Sequence, residues 1–118
     1  MIEIAEAASV VLLPGACMTY EMHSDHASID ADRHWWVQAE AIVGYMNLYQ
    51  HFGDQLSLLR GIQCWEFVKK SLIDTDNGEW FWSVRADGTI NKTDDKAGFW
   101  KCPYHNGRMC MEIMERFN

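Results

Sequence analysis

The sequence predicts a mainly α-helical protein built on antiparallel helical hairpins, with a short β-hairpin between helices. Two long stretches carry apolar residues at helical spacing, and only Gly53 and Asp54 separate them. A connection that short forces the two helices to run antiparallel. Further along the chain the apolar period changes, and turn signals flank an aromatic stretch, which is typical of a small hairpin of strands.

The first helix is predicted from about Asp32 to Phe52. Asp30 or Asp32 can accept backbone N–H bonds at its start, and Gly53 stands where a left-handed residue ends a helix. Apolar residues recur with the i, i+3, i+7 rhythm of one helical face. They are Trp36, Ala39, Val43, Met46 and Leu48 or Tyr49.

The second helix is predicted from about Asp54 to Ile73, with Asp54 as its N-cap. Lys69 and Lys70 lie near its C-terminus, where positive charge suits the helix dipole. Its apolar side is expected to contain Leu56, Leu59, Ile62, Trp65 or Phe67, Val68 and Leu72.

The stretch Glu79–Val84 has the composition of a β-strand. A turn at Asp76–Gly78 precedes it, a second turn at Ala86–Gly88 follows, and Thr89–Ile90 is expected to return as a short partner strand. The polar residues Lys92–Gly98 are predicted to form a loop.

Helical structure is also predicted towards both ends of the chain. About Ile2–Val11 is expected to form one or two helical turns before a loop over Pro14–Asp30. A last amphipathic helix runs from about Asn106 to Phe117, with Met109, Ile113, Met114 and Phe117 apolar. Because the apolar arcs are wider than one hairpin can bury, we expect the hairpin to stack on neighbouring helices, as in solenoids and toroids.

Length, composition and charge limit the function. A chain of 118 residues is one small domain at most, and a hydrophobic fraction of 48% is that of a packed globular protein. The net charge of −7 argues against nucleic acid as the main partner, because phosphate binding needs clustered Lys and Arg. Six tryptophans fit either a Trp-rich core or a site that stacks on the flat apolar faces of sugar rings.

The sequence also carries information on cellular compartment. The longest apolar run, Ala7–Leu13, is far shorter than the ~20 residues of a membrane span, and Glu3 and Glu6 stand where a signal peptide would be basic. The four cysteines have neither CxxC nor zinc-ligand spacing. We therefore expect a cytoplasmic protein with reduced cysteines, without a membrane partner, a metal or a cofactor.

The densest aromatic cluster runs from His34 to Glu40. On a helix, Trp36 and Glu40 are one turn apart and share a face. An indole beside a carboxylate offers a stacking surface and an acceptor for hydroxyl groups. The alternative is that Trp36 belongs to the core and Glu40 is a solvated charge.

A second cluster runs from Phe99 to Asn106. His105 follows Pro103 near a helix start, where an imidazole can transfer protons, and Gly98 and Pro103 constrain the backbone on both sides. The alternative is a hydrogen-bonded histidine that only stabilises a tight loop.

The two clusters, in this order, resemble the C-terminal part of the N-acylglucosamine 2-epimerase superfamily. The resemblance rests on the segments Asp32–Ala41, Gly78–Trp82 and Asp95–Asn106, and it covers nearly the whole chain with correct spacing. The run Lys-Cys-Pro-Tyr-His-Asn that ends at Asn106 is similar to the cellobiose 2-epimerase branch.

The resemblance implies part of an (α/α)6 toroid that binds a sugar in its central cavity. Members of the family invert C2 of a reducing-end sugar without a metal, through two histidines on opposite sides of the opened sugar. By resemblance, His105 is the C-terminal histidine of that pair. Trp36 and Trp100 match the aromatic residues that line the sugar site, and Glu40 matches a carboxylate near it.

The resemblance covers only about the last third of the family's length. The partner histidine and an arginine belong to segments without a counterpart here, and no motif replaces them around His23, His26, His34 or His51. A proton transfer on both faces of C2 needs both groups, so we expect this chain alone not to turn over.

Three interpretations therefore stay open. The chain is the C-terminal part of a sugar 2-epimerase that needs a companion N-terminal portion, a non-catalytic carbohydrate-binding or interaction module, or a truncated reading frame without an independent role. Exposed toroid faces would leave large apolar patches, so we expect self-association or a companion chain.

Overall fold

The computed structural model of this protein describes residues 17–22 and 29–118. The helical turns expected at Ile2–Val11 lie outside the described residues, as do His23 and His26. No helix in the described ranges is long and apolar enough to cross a membrane.

The described part of the chain is mainly helical, which confirms the predicted fold class. Its helices are α1 (Trp35–Phe52), α2 (Gln55–Phe67), which continues as a π-helical turn over Val68–Leu72, and α3 (Tyr104–Arg116). Its strands are β1 (Glu21–Met22), β2 (Ile29–Asp30), β3 (Arg33–His34) and β4 (Ser83–Val84). β1 pairs with β2 inside the predicted loop, and β3 pairs with β4, both antiparallel.

Helix α1 begins at Trp35 rather than at the predicted Asp32, because Arg33 and His34 form a strand with β4. The Trp35 N–H donates to the carbonyl of Trp82 at 3.0 Å. The expected aspartate cap was wrong, since Asp32 accepts the backbone N–H of Ala86 at 2.9 Å and His34 is the N-cap residue.

The tight connection between α1 and α2 is confirmed. Gly53 adopts a left-handed conformation with φ of 67°, and its N–H donates to the carbonyl of Tyr49 at 2.8 Å. Asp54 caps α2 by accepting the N–H of Leu56 at 3.1 Å and the hydroxyl of Ser57 at 2.6 Å.

The buried face of α1 differs from the predicted one. Trp36, a member of the predicted apolar rhythm, is 37% exposed. The residues that α1 buries are Trp35, Gln38, Ala39, Ile42, Tyr45 and Met46. The prediction ranked residues by hydrophobicity and therefore missed Gln38, a polar amide that α1 buries.

The buried face of α2 was also wrong in its first half. Leu56, Leu59 and Ile62 are 52%, 51% and 46% exposed. Ser57, Gly61 and Cys64 face the core instead. A Cβ at Gly61 would lie 3.3 Å from the Cβ of Tyr45, so small residues allow α2 to approach α1 closely.

The core lies where α1, α2 and α3 meet the hairpin region. Its buried members are Trp35, Ala39, Ile42, Cys64, Val68, Leu72, Trp80, Val84 and Met109. Helix α3 begins at Tyr104, slightly before the predicted Asn106, and it buries Met109. Met114 and Phe117, both expected on its apolar face, are 64% and 48% exposed.

The predicted β-hairpin is present but shorter than expected. The strand is confined to β4, and the return is a single bridge between Val84 and Ile90. The N–H of Asn91 donates to the carbonyl of Ser83 at 2.9 Å and closes the hairpin. The longer pairing of β4 is with β3, ahead of α1.

The turn that follows α2 is held by Asp74. Its carboxylate accepts backbone N–H groups from Asp76 and Asn77 at 3.2 and 3.1 Å, and the ammonium of Lys96 lies 2.6 Å away. The bond from Lys96, together with those from Asn77 and Asp76, lowers the pKa of Asp74 to about 2.

Two alanine substitutions test the helix connection against each other. Gly53→Ala should destabilise the protein by roughly 1 kcal/mol, because a Cβ is unfavourable at positive φ. Gly44→Ala, at an exposed site inside α1 with nothing near a new Cβ, should stabilise it by roughly 0.5–1 kcal/mol. Urea unfolding measures the free energy of unfolding of both variants. A change of the same sign in both would contradict a left-handed backbone at Gly53.

The acid stability of the protein should depend on Asp74. The folded-state pKa of Asp74 is depressed, so its contribution is present above the unfolded value near 3.8 and disappears as pH falls towards about 2. Asp74→Asn should lower the free energy of unfolding at pH 7. It should also reduce the further loss of stability between about pH 4 and pH 2. Unfolding at a series of pH values measures this, with Asp76→Asn as the neighbouring control.

Candidate functional site

Three polar side chains, those of Glu40, His105 and Arg108, meet where α1 packs against α3. His105 Nδ1 lies 2.7 Å from Glu40 Oε1. The guanidinium of Arg108 donates to the same carboxylate oxygen, and Glu40 in turn raises the pKa of Arg108. His105 and Arg108 are three residues apart on α3 and therefore share the face that meets α1.

The contact with Glu40 determines which ring nitrogen of His105 carries the proton in the neutral imidazole. An ionised carboxylate only accepts hydrogen bonds, so Nδ1 is the donor and Nε2 is the basic nitrogen of the neutral imidazole. Within residues 17–22 and 29–118, Nε2 has no hydrogen-bond partner. The His105 side chain is 31% exposed, so this nitrogen can meet a ligand.

Aromatic rings surround the imidazole of His105. Its centroid lies 5.4 Å from Trp35, 5.6 Å from Trp36 and 5.0 Å from Tyr104. Trp35 is buried, whereas Trp36 and Tyr104 are 37% and 59% exposed. The site is therefore a histidine on a buried indole, beside two aromatic rings that remain accessible.

The segment before β1 extends this aromatic surface. Tyr20 stacks on His34 with centroids 4.0 Å apart and meets Trp36 edge-on at 6.4 Å. Gln38 holds the segment in position, because its amide accepts from the N–H of Met18 at 2.9 Å and donates to the carbonyl of Met18 at 2.8 Å. A buried glutamine thus connects α1 to the strand segment beside the site.

His34 stands apart from the charged cluster. Burial lowers the pKa of His34, against an opposing effect of the nearby carboxylates Asp30, Asp32 and Asp94. Its ring packs between Tyr20 and the edge of Trp82. It therefore acts as an aromatic neighbour of Tyr20.

Trp100 lies in the loop before α3. Its indole is 83% exposed and packs edge-on against Phe99, which is 91% exposed, with centroids 4.9 Å apart. These two rings border a surface depression that Trp82 and Asp94 also line. Among the described residues, no ring contact connects Trp100 to His105.

The structure brings together three of the four residues singled out from the sequence, namely Trp36, Glu40 and His105. Sequence reasoning missed Arg108, although its spacing of three residues from His105 is a usable signal on a helix. It also missed Gln38, because a polar residue gives no sign of burial until its partners are known.

Cys64, Cys102 and Cys110 are free thiols, and the hydrogen bond with Cys17 together with burial raises the pKa of Cys64. In the described part of the chain, no group of three His, Cys, Asp or Glu side chains is arranged to hold a metal ion.

Comparison with known proteins identifies the family. The sequence model of N-acylglucosamine 2-epimerase (GlcNAc 2-epimerase) matches residues 1–107. The chain belongs to the N-acylglucosamine 2-epimerase family. Among curated members, it is 58% identical over 112 residues to the cellobiose 2-epimerase of Bacteroides fragilis and 50% identical over 93 residues to that of Ruminococcus albus. These matches cover 95% and 78% of this chain.

Solved structures of family members have the same fold. The cellobiose 2-epimerase from Bacillus thermoamylovorans B4167 superimposes on 98% of this chain with a TM-score of 0.88 and 42% identity. A sugar epimerase from a ruminal bacterium superimposes on 99% with a TM-score of 0.89 and 40% identity. The prediction that these helices form part of an (α/α)6 toroid is confirmed.

The chain spans a minority of the length of these relatives. It covers 29% of the Bacteroides fragilis protein, 24% of the Ruminococcus albus protein and 29% of the Bacillus thermoamylovorans structure. The described residues therefore correspond to one sector of the family's toroid.

The role of Gln38 is testable without a ligand. Gln38→Leu should leave the partly buried backbone groups of Met18 without their side-chain partner and cost about 1–3 kcal/mol. The amide of Met18 should then exchange with deuterated solvent much faster than in the wild-type protein. Gln55→Leu, at an exposed site, is the matched control. Unchanged protection of the Met18 amide from exchange in Gln38→Leu would show that Gln38 does not hold this segment in place.

Proposed function

We propose that this chain contributes one half of the acid/base site of a sugar 2-epimerase, acting at C2 of a reducing-end sugar such as cellobiose. The observation that carries the proposal is the 2.7 Å contact between His105 Nδ1 and Glu40 Oε1, which leaves Nε2 as the base. Membership of the N-acylglucosamine 2-epimerase family supplies the reaction class.

In the proposed step, the C2 proton of the opened sugar moves to Nε2 of His105. The C–H electron pair forms a C1–C2 double bond, and the carbonyl oxygen at C1 takes up the negative charge. Returning a proton to the opposite face of C2 inverts the centre. Glu40 stabilises the imidazolium that forms in between, because its carboxylate lies against Nδ1.

Arg108 shares the carboxylate oxygen that His105 uses. A guanidinium there forms a charge-assisted hydrogen bond with the carboxylate and holds Oε1 in place beside Nδ1. Arg108 also donates to the hydroxyl of Tyr104 at 3.2 Å, which fixes the side chain from a second direction.

The exposed aromatic rings support a sugar ligand. Trp36 presents an indole beside His105, where it can stack on the apolar face of a pyranose ring. Trp100 is proposed as a second sugar contact, since an 83% exposed indole beside an exposed Phe99 is otherwise unfavourable in water.

The proposal requires a second acid/base group on the far side of C2. Relatives are more than three times as long as the stretch they share with this chain, and the resemblance assigns the partner histidine to the other part of the toroid. The exposed apolar faces of α2 and α3 support packing against a companion portion or a second copy.

A chimera tests the proposed function. The matched 29% of the Bacteroides fragilis cellobiose 2-epimerase is replaced by the aligned residues of this chain, and conversion of cellobiose to its C2 epimer is measured. The proposal expects turnover of the same order as the parent enzyme. A folded chimera that binds cellobiose without converting it would instead favour a non-catalytic carbohydrate-binding module.

Two substitutions in the chimera separate chemistry from binding. His105→Ala should abolish turnover while leaving the affinity for cellobiose nearly unchanged. Trp36→Ala should chiefly weaken binding, by ~1–2 kcal/mol for the lost aromatic face, and leave kcat close to the parent value. Steady-state kinetics and calorimetric binding measure both. Wild-type rates in His105→Ala would remove His105 from the mechanism, and unchanged affinity in Trp36→Ala would make Trp36 a structural residue.

A further inference from the structure

Behind the site lies a buried lysine that the proposed chemistry does not use. Lys101 is 2% exposed and is among the largest fully buried side chains of the described residues. Its ammonium donates to the carbonyls of Lys96 at 2.6 Å and Trp80 at 2.7 Å, and lies 3.5 Å from Glu79 Oε1. Burial lowers the pKa of Lys101, and the negative charge of Glu79 opposes that effect.

The ammonium of Lys101 is buried, whereas the side chain of Glu79 is 28% exposed and 3.5 Å away, which is a poor arrangement for gaining stability. The loss of hydration commonly cancels the attraction between the charges, and apolar residues of similar size often serve as well. Stability alone therefore does not explain a lysine at position 101.

Glu79 connects the lysine to α3. Its Oε1 accepts the side-chain N–H of Asn106 at 2.8 Å and its own neighbour's N–H, from Trp80, at 2.9 Å. Glu79 also has φ of 64°, a left-handed conformation that non-glycine residues rarely adopt. Such strain persists where surrounding contacts over-determine the geometry, and it concentrates at functional sites.

Asn106 directly follows His105 and is buried. Helix α3 has no side-chain cap at its N-cap residue, Pro103. The bond from Asn106 to Glu79 is therefore a second side-chain contact, besides that of His105 with Glu40, that anchors its first turn to the body of the protein.

Trp35 provides a second path from Lys101 to His105. The ammonium of Lys101 lies 4.7 Å from the centroid of the Trp35 ring, a cation–π contact inside the core. The same indole meets the imidazole of His105 edge-on at 5.4 Å. The lysine thus fixes the surface on which the histidine ring rests.

We propose that Lys101 and Glu79 form a positioning pair for His105, through Asn106 at the start of α3 and through the ring of Trp35. The pair sets the position of the imidazole against Glu40 without itself reaching the ligand. Removing either charge releases the first turn of α3 and weakens the hydrogen bond between His105 and Glu40.

The test follows the His105 Nδ1–H proton by NMR in the 118-residue protein labelled with ¹⁵N-histidine. A His105→Gln variant assigns its signal. Glu79→Gln, Lys101→Met and Asn106→Ala should each increase exchange of this proton with water by roughly tenfold or more, because a displacement of about 1 Å is enough to break such a contact. Signals of His34 and His51 should stay unchanged.

The double variant Glu79→Gln/Lys101→Met tests whether the two residues act as a unit. Its exchange rate should not exceed that of the faster single variant, because both changes interrupt the same link. Glu66→Gln and Lys69→Met, which disrupt an exposed ion pair on α2 and its π-helical extension, are the matched controls and should leave the His105 proton unchanged.

Several results would overturn the proposal. These are a wild-type exchange rate in the folded single variants, multiplied effects in the double variant, or equal changes at His34 and His51. Should Lys101→Met fail to fold, Asn106→Ala decides, since it cuts the link to α3 without leaving a buried charge unpaired.

This inference rests on the proposed role of His105, but its test does not involve a sugar. Failure of the NMR test with an active chimera would reject the positioning pair alone. In the chimera, Asn106→Ala should lower kcat by roughly tenfold and change KM for cellobiose much less, as expected for a displaced acid/base group. An inactive parent chimera with the expected NMR changes would reject the epimerase function alone.

Discussion

The contact of His105 and Arg108 with Glu40 joins two helices that are distant in the sequence. His105 and Glu40 are separated by 65 positions, and their 2.7 Å contact forms only if α1 and α3 pack in one register. The register depends on the first two turns of α1, which bury Trp35, Gln38 and Ala39 on one side. Trp36 and Glu40 remain on the other side, so the same short segment serves both the core and the site.

Buried polar side chains give this small protein much of its specificity of structure. Gln38 fixes the segment that carries Tyr20, and Lys101 with Glu79 fixes the loop and turn that lead to His105. Each is satisfied by several hydrogen bonds, as buried polar groups must be. A core of aliphatic residues alone would hold the helices together, but it would not determine where each loop lies.

Local signals in the sequence predicted the elements well. Gly53 and Asp54 define the connection because one needs a left-handed backbone and the other a capping carboxylate, and both properties belong to single residues. The spacing of Trp36 and Glu40 on a helix, with His105 at the start of another, singled out three residues that the structure brings together. These features need no knowledge of tertiary packing.

Features that depend on tertiary packing could not be predicted from the sequence. Leu56, Leu59 and Ile62 form a regular apolar stripe, yet α2 packs through Ser57, Gly61 and Cys64, since small residues allow the closest approach to α1. A periodicity argument ranks residues by hydrophobicity and is blind to that steric requirement. The exposed stripe is consistent with a toroid sector, in which helices have neighbours on more than one side.

The positions of Arg108 and Lys101 also depend on tertiary packing and could not be predicted from local signals in the sequence. Charged residues are expected at the surface, and only the fold reveals that one meets Glu40 and the other lies beneath Trp35. Trp100 is the reverse case, because its role was inferred from resemblance while its ring contact in the described structure is with Phe99.

The most direct test of the central claim is the entry of deuterium at C2 of cellobiose in deuterated water. This chain carries one acid/base face, and inversion at C2 needs a second. We therefore predict no labelled C2 epimer of cellobiose with the 118-residue protein alone, and labelled epimer with the chimera that contains His105. Labelled epimer formed by the isolated protein would mean that it holds a complete acid/base pair, and labelled epimer formed at an unchanged rate by the His105→Ala chimera would mean that His105 is not the base. Either result would contradict the proposed role of this chain.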